Sequence, residues 1–263
     1  MKIYTLGDAS KPVILLLPGT CCHWKMNFGH VFGELEKSFY IACVSYTGFD
    51  ETAPGETFTS MTDECGKIEA EVKRLFGGRV FCAYGCSLGG SFVSLLIARR
   101  NIHIDHGIIG SSDMDQAGAF AAKLETAMIM PIFADLIRYG EFRNPVMRKL
   151  FGKKLGGDPD SYIGKFMKMM GFGSGMDFTF ISKESMRNQF ASDLTTPVGT
   201  AISAPGTVIH VFYAKKMGKK YLKRYRKYFA EPDIIEFDLQ HEELLLDAPR
   251  WAEEVRRVCG MEG

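Results

Sequence analysis

The stretch that most constrains the fold is residues 80–100, where an apolar run meets a glycine-flanked serine and then a helical pattern. Residues 85–89 read Gly-Cys-Ser-Leu-Gly and match G-x-S-x-G. In a sharp strand-to-helix turn the serine backbone is strained, and the positions two before and two after it must lack bulk, which glycine satisfies. The same pentapeptide also fits an ordinary glycine-rich turn with an incidental serine. The flanking strand and helix patterns favour Ser87 as a nucleophile at the tip of the turn.

Apolar runs alternate with helical patterns along most of the chain. The apolar run before Ser87 and the helical pattern after it are one example. The runs that predict strands are residues 13–17, 39–44, 80–84, 106–110, 207–213 and 233–237, with a weaker edge strand at 2–6. Unbroken rather than alternating hydrophobicity indicates strands that are covered on both faces. The sequence therefore predicts the α/β class, with a doubly wound, mostly parallel sheet flanked by helices.

The character of the sequence changes between residues 117 and 205, which are rich in Met, Phe, Gly and short helical patterns. No strong parallel-strand run occurs in that interval. We therefore predict an α/β core formed by residues 1–116 and 206–263, with a helical cap or lid inserted at 117–205. A chain of 263 residues is long enough for one such domain and its insertion.

The composition excludes several classes of binding partner. The net charge of +1 and the 24% of charged residues argue against nucleic acid as the main partner. No apolar stretch approaches the length of a membrane-spanning helix, so we expect no stable membrane insertion. The seven cysteines are odd in number and match no zinc spacing, which favours reduced thiols in the cytoplasm. We expect a small-molecule substrate, no cofactor or metal, and a monomer or homodimer.

A serine hydroxyl is a weak nucleophile, and it needs a base that a third group orients. His241 follows the last predicted strand, and its position after Ser87 agrees with the chain order of this kind of site. The other histidines lie near the loop at residue 18 or before and within strands: His23, His30, His103, His106 and His210. His241 is therefore the predicted base.

Together these pieces resemble the α/β-hydrolase superfamily of the serine hydrolase and esterase type. The resemblance rests on residues 85–89, the strand followed by residues 18–20, the turn at 45–49, and His241. It implies Ser87 as the nucleophile and His241 as the base. It also implies an oxyanion hole made by the backbone N–H groups of Leu88 and Thr20. Family members commonly have His-Gly where this chain has Pro-Gly at 18–19. The expected donors are the backbone N–H groups of Leu88 and Thr20, so this difference does not remove them.

The third member of the site departs from the family pattern. Family members usually carry Asp or Glu just after the strand predicted at 207–213, and the aligned position here is Met217. Some members place the acid after the preceding strand, which suggests Asp113, with Asp115 second. Asp113 also fits an ordinary helix cap or turn. Glu242 is adjacent to His241 in sequence and is poorly placed to orient its ring.

The resemblance implies a carboxylesterase-like hydrolase that cleaves small or medium acyl esters through an acyl-enzyme on Ser87. A thioesterase, a C–C hydrolase or an acyltransferase would use the same site. The alternative from another class is a non-catalytic ligand-binding protein on a hydrolase scaffold, which the missing acid at Met217 motivates. The Met and Phe residues at 166–180 fit either an acyl pocket or lid packing. The basic run at 215–227 fits either a solvated helix face or a site for an anionic partner.

Overall fold

The computed structural model of the chain describes residues 1–146, 148–149 and 158–261. Its strands are β1 (Lys2–Leu6), β2 (Val13–Leu17), β3 (Tyr40–Ser45), β4 (Arg79–Gly85), β5 (His103–Ile109), β6 (Val208–Ala214) and β7 (Asp233–Phe237). They form one sheet in the order β1-β3-β2-β4-β5-β6-β7. Only β1 pairs antiparallel within these ranges, and the other pairs are parallel. The predicted doubly wound sheet is confirmed.

Helices connect the parallel strands. They are α1 (Trp24–Phe28), α2 (Phe32–Leu35), α3 (Met61–Phe76), α4 (Leu88–Arg99), α5 (Ala119–Tyr139), α6 (Tyr162–Met169), α7 (Lys183–Thr195), α8 (Lys219–Tyr228) and α9 (Ala248–Val258). The sequence pattern around residues 28–38 predicts one helical segment there, but the structure has two separate helices, α1 and α2, joined by a 3-10 turn, Gly29–Val31. Gly29 and Gly33 lower the helix propensity of this stretch.

The hydrophobic core lies on both faces of the sheet, as the unbroken apolar runs predicted. In β2, Ile14 and Leu16 belong to one buried cluster, and Leu15 and Leu17 belong to the other. All four side chains have no exposed surface. Successive residues of a strand point to opposite faces, so a strand covered by helices on both sides must be apolar at every position.

Between β5 and β6 the described residues form α5, α6 and α7 without adding a strand to the sheet. Of these helices, α5 and α7 pack against each other. The cap predicted at 117–205 stays a prediction in its boundaries, and residues 147 and 150–157 within it lie outside the described ranges. No helix in the described part of the chain is long and apolar enough to cross a membrane.

Candidate active site

Ser87 occupies the sharp turn between β4 and α4 and has backbone angles of φ 48° and ψ −114°. A Cβ atom at Gly85 would collide with the backbone of Gly89, and one at Gly89 would collide with the carbonyl of Leu17. A hydrogen bond of 3.0 Å from the Cys86 amide to the Leu17 carbonyl fixes the turn against β2. Glycine is therefore required at both flanking positions, as the motif predicted, and the strain is localised at the serine.

Ser87 faces a cavity of ≈ 200 Å³ that His241 also lines. Apolar side chains from the helices between β5 and β6, including Ile129, Met130, Phe133, Phe166, Met169 and Phe190, form much of its wall. No lysine, arginine or aspartate is among the described lining residues. The cavity therefore combines a nucleophile and a base candidate with a wall suited to an uncharged apolar group. Part of the Met and Phe cluster at 166–180 lines this cavity, whereas Phe178 is buried in the core.

The loop after β2 is held in place by buried amide side chains. The Gly19 N–H donates to Asn27 Oδ1 at 2.9 Å, and the Cys21 N–H donates to Gln189 Oε1 at 2.6 Å. Asn27 and Gln189 have no exposed surface. Neither side chain was anticipated from the sequence, because nothing local to Asn27 or Gln189 indicates that it meets this loop.

Two backbone donors beside Ser87 remain available. Among the hydrogen bonds of the described residues, none uses the N–H of Thr20 or the N–H of Leu88. Leu88 is the first residue of α4, so its amide has no partner inside the helix. Both residues adjoin the cavity, since Thr20 lines it and Leu88 follows Ser87. Unpaired N–H groups in such a position can stabilise an oxyanion.

His241 lies in the loop after β7, on the wall of the same cavity. Its ring packs edge-on against Phe166 with centroids 6.0 Å apart, and its carbonyl accepts a hydrogen bond of 2.8 Å from Tyr162 Oη. Within the described chain no hydrogen bond joins the His241 ring to the Ser87 hydroxyl or to a carboxylate. In a ligand-free site, such bonds are often long and close only when substrate binds.

The structure places Asp113 in a group of carboxylates. Its Oδ1 accepts a 3.3 Å bond from the Asp115 N–H, and Asp115 forms a 2.7 Å ion pair with Arg224. Burial, and next the charge of Asp113, raises the pKa of Asp193 to about 7. Asp113 does not line the cavity, and no hydrogen bond of the described residues connects it to His241. Its role as the acid, with Asp115 second, stays a prediction.

The carboxylate that does reach the turn belongs to Glu242. This side chain is 2% exposed, accepts a 2.7 Å bond from the Ser87 N–H at Oε1, and accepts a 2.9 Å bond from Tyr84 Oη at Oε2. Its backbone φ of 53° lies in the left-handed region, which is uncommon for a residue other than glycine. The sequence signal was an acidic residue next to His241, but adjacency alone does not show where the side chain points.

Some of the cavity-lining residues near Ser87 carry thiols. Cys22 and Cys86 are buried and free, and both line the cavity. Burial raises the pKa of Cys22 to about 12, with a further contribution from the charge of Glu242, and burial also raises the pKa of Cys86. A protonated thiol is a poor nucleophile, so burial disfavours a nucleophilic role for Cys22 and Cys86. No group of three or more His, Cys, Asp or Glu side chains in the described ranges could hold a metal ion.

Solved structures resemble the chain over nearly its whole length. An α/β-hydrolase family protein from Desulfitobacterium hafniense is 17% identical with a TM-score of 0.75, and the match covers 98% of this chain and 99% of that one. The enol-lactonase from Burkholderia xenovorans LB400 is 15% identical with a TM-score of 0.66, covering 99% and 96%. A thermophilic esterase from Thermogutta terrifontis is 17% identical with a TM-score of 0.67, covering 98% and 92%.

No model of a known protein family matches the sequence, and no curated protein matches it either. The likeness to solved structures is therefore one of backbone architecture. A shared fold does not fix a reaction, which has to be argued from the site.

Proposed function

From the premise that this chain has the α/β-hydrolase fold, we propose that it is a serine hydrolase that cleaves small or medium acyl esters. The observation that carries the proposal is the strained Ser87 turn, which faces a cavity of ≈ 200 Å³ shared with His241. Backbone strain of this kind costs free energy and is concentrated at functional sites. The names of two similar structures, an enol-lactonase and an esterase, support an ester bond as the target.

The proposed reaction runs through an acyl-enzyme. Ser87 Oγ attacks the ester carbonyl while His241 accepts the hydroxyl proton, and the N–H groups of Leu88 and Thr20 hold the oxyanion. The C–O bond to the leaving alcohol then breaks, and His241 returns the proton to that alcohol. Water, deprotonated by His241, attacks the acyl-enzyme and releases the carboxylic acid and free Ser87.

The lining of the cavity supports an uncharged acyl group. Five of its apolar side chains come from α5 and α6, and Met residues among them adapt to varied apolar shapes. The basic face of α8 gives no support to an anionic substrate at this site, because none of its exposed cations lines the described cavity: Lys219, Lys220, Lys223, Arg226 and Lys227. The free, buried cysteines support action in a reducing compartment such as the cytoplasm.

The test is labelling by a fluorophosphonate probe together with hydrolysis of 4-nitrophenyl acetate and butyrate. We expect Ser87→Ala to lose the label and to lower hydrolysis roughly a thousandfold or more. Ser94→Ala is the matched control, because the Ser94 hydroxyl bonds the Gly90 carbonyl of its own helix at 2.7 Å and contacts Met114 Sδ at 3.9 Å, and Ser94 does not line the cavity. Hydrolysis that survives Ser87→Ala, or equal labelling of the two variants, would rule out Ser87 as the nucleophile.

A second candidate, ligand binding without catalysis, is favoured by one observation. Among the described residues, no carboxylate accepts a hydrogen bond from the His241 ring. On this hypothesis the unmodified protein neither labels with the probe nor releases nitrophenol, yet it still binds a butyramide in the cavity. Labelling of the native protein that disappears in Ser87→Ala would exclude it.

A further inference from the structure

Glu242 is a charged side chain buried directly against the nucleophile turn. Its two oxygens accept hydrogen bonds from the Ser87 N–H at 2.7 Å and from Tyr84 Oη at 2.9 Å. Both partners are donors, which is the pattern that a carboxylate requires. A buried carboxylate is costly unless such partners satisfy it, so this arrangement is a specific feature of the fold.

The surrounding residues are shaped around this carboxylate. A Cβ atom at Gly110 would lie 2.7 Å from Glu242 Oε1 and 2.9 Å from Tyr84 Oη, so only glycine leaves room for both groups. The Tyr84 ring is fixed by edge-on packing on Trp251, with centroids 4.8 Å apart. The carboxylate therefore has a prepared place between the ends of β4 and β5.

The negative charge of Glu242 affects the pKa of several neighbouring thiol and phenol groups. It contributes to the raised pKa of Cys22, Cys86, Tyr84, Tyr162 and Tyr225, although burial is the largest cause for each. These groups are neutral when protonated. The described ion pairs give Glu242 no lysine or arginine partner.

His241 precedes Glu242 in the chain and lines the same cavity, and Glu243 follows Glu242. An imidazolium at His241 is the one cation that the proposed reaction would create there. The position that carries the acid in related folds is Met217, in the turn Lys215–Met217, and it offers no charge.

We infer that Glu242 is the positioning carboxylate of this site: it holds the Ser87 turn through the backbone N–H and stabilises the imidazolium formed on His241. This inference rests on the proposed function. It differs from the usual arrangement, because the acid acts through the nucleophile turn and through its charge rather than by a hydrogen bond to the imidazole ring.

The experiment compares Glu242→Gln with Glu243→Gln. Glutamine keeps the shape and can bond both partners, but it removes the charge. With Glu242→Gln we expect kcat to fall about tenfold or more, with KM changed less than about twofold. Without the negative charge of Glu242, the imidazolium of His241 should release its proton at lower pH. The acid limb of the pH profile of kcat/KM should therefore move to lower pH by about half a pH unit or more.

Glu243→Gln is matched in sequence position and chemistry, and among the described residues the Glu243 carboxylate accepts a hydrogen bond only from the Gln240 N–H, at 2.6 Å. It should change neither kcat nor the acid limb. A purely structural role for Glu242 would lower the folded fraction, measured by circular dichroism, without moving the acid limb. An unmoved acid limb with unchanged kcat in Glu242→Gln overturns the inference.

Asp113→Asn is the rival arm, because Asp113 is the acid that the sequence predicted. Loss of kcat and a shifted acid limb in Asp113→Asn alone would assign the role to Asp113 and overturn the inference. If Glu242→Gln does not fold, Glu242→Asp replaces it. That variant keeps the charge but withdraws the carboxylate by one methylene from Ser87, so kcat should fall while the acid limb stays in place. Unchanged kcat in Glu242→Asp would overturn the inference.

The two proposals fail in different ways. A native protein that neither labels at Ser87 nor hydrolyses the esters refutes the proposed function, and the inference with it. A native protein that labels and hydrolyses, together with an unaffected Glu242→Gln, refutes only the role of Glu242.

Discussion

Asp193 makes the stability of the protein depend on pH in a way that a single substitution should remove. Burial, then the charge of Asp113, raises the pKa of its carboxyl group from 3.8 to about 7, while a hydrogen bond from Ser91 acts in the opposite direction. Between pH 3.8 and about 7, the carboxyl group of Asp193 is therefore protonated in the folded protein and ionised in the unfolded chain. The free energy of unfolding then falls as the pH rises through this window, and it levels off above it.

The size of the effect follows from the shift. Each pH unit is worth about 1.4 kcal/mol, so a shift of roughly three units corresponds to at most about 4 kcal/mol. Solvent screening reduces this figure, because Asp193 retains some exposed surface. Asp193→Asn mimics the protonated carboxyl group. It should match the wild type near pH 4 and exceed it in stability by a few kcal/mol near pH 8.

The assay is urea unfolding at several pH values between 4 and 9, read as the difference in the free energy of unfolding between variant and wild type. Taking the difference cancels the titration of groups that the two proteins share. Asp238→Asn is the control, because Asp238 is an exposed aspartate without a hydrogen bond among the described residues. A difference for Asp193→Asn that stays constant from pH 4 to pH 8 would refute the reasoning.

Two further predictions concern the packing around the nucleophile turn. Tyr84→Phe removes a donor from the buried Glu242 carboxylate and should lower the free energy of unfolding by about 1.5–3 kcal/mol, whereas Tyr225→Phe removes a donor from a neutral carbonyl and should cost only about 1 kcal/mol. Equal losses in urea titrations of the two variants would show that the charge adds nothing. Gly89→Ala would drive a Cβ atom into a β2 carbonyl and should cost about 3 kcal/mol or more. Gly66→Ala, with nothing within 4 Å, should instead gain about 0.5–1 kcal/mol through helix propensity. A stable Gly89→Ala protein in thermal melts would contradict the steric argument.

The sequence was informative where the constraint is local. Glycine at 85 and 89 followed from the backbone that a serine at a strand-to-helix turn must adopt, and Ser87 has that backbone. The unbroken apolar run of β2 predicted burial on both faces, and Ile14 and Leu15 are indeed in opposite clusters. Short-range patterns were less reliable at Gly29, where two short helices replace the expected single one.

The partners of the nucleophile turn could not be derived in this way. The place of Asp113 after a strand predicts it as the acid of the site. In the fold, Asp113 lies near Asp115, Asp193 and Arg224. The adjacency of Glu242 to His241 in sequence argues against its orienting the His241 ring, yet its side chain accepts a hydrogen bond from the Ser87 amide.

Local sequence patterns were therefore enough to predict the sheet, the strained turn at Ser87 and the order of the candidate nucleophile and base along the chain. Periodicity and glycine placement act over a few residues, and that range is visible in a sequence. The identity of the carboxylate beside the turn follows from contacts that the folded chain creates: Gly110 leaves space for Glu242, and the hydroxyl of Tyr84 donates to it. Those three residues are far apart in the chain and meet only when the ends of β4, β5 and β7 come together.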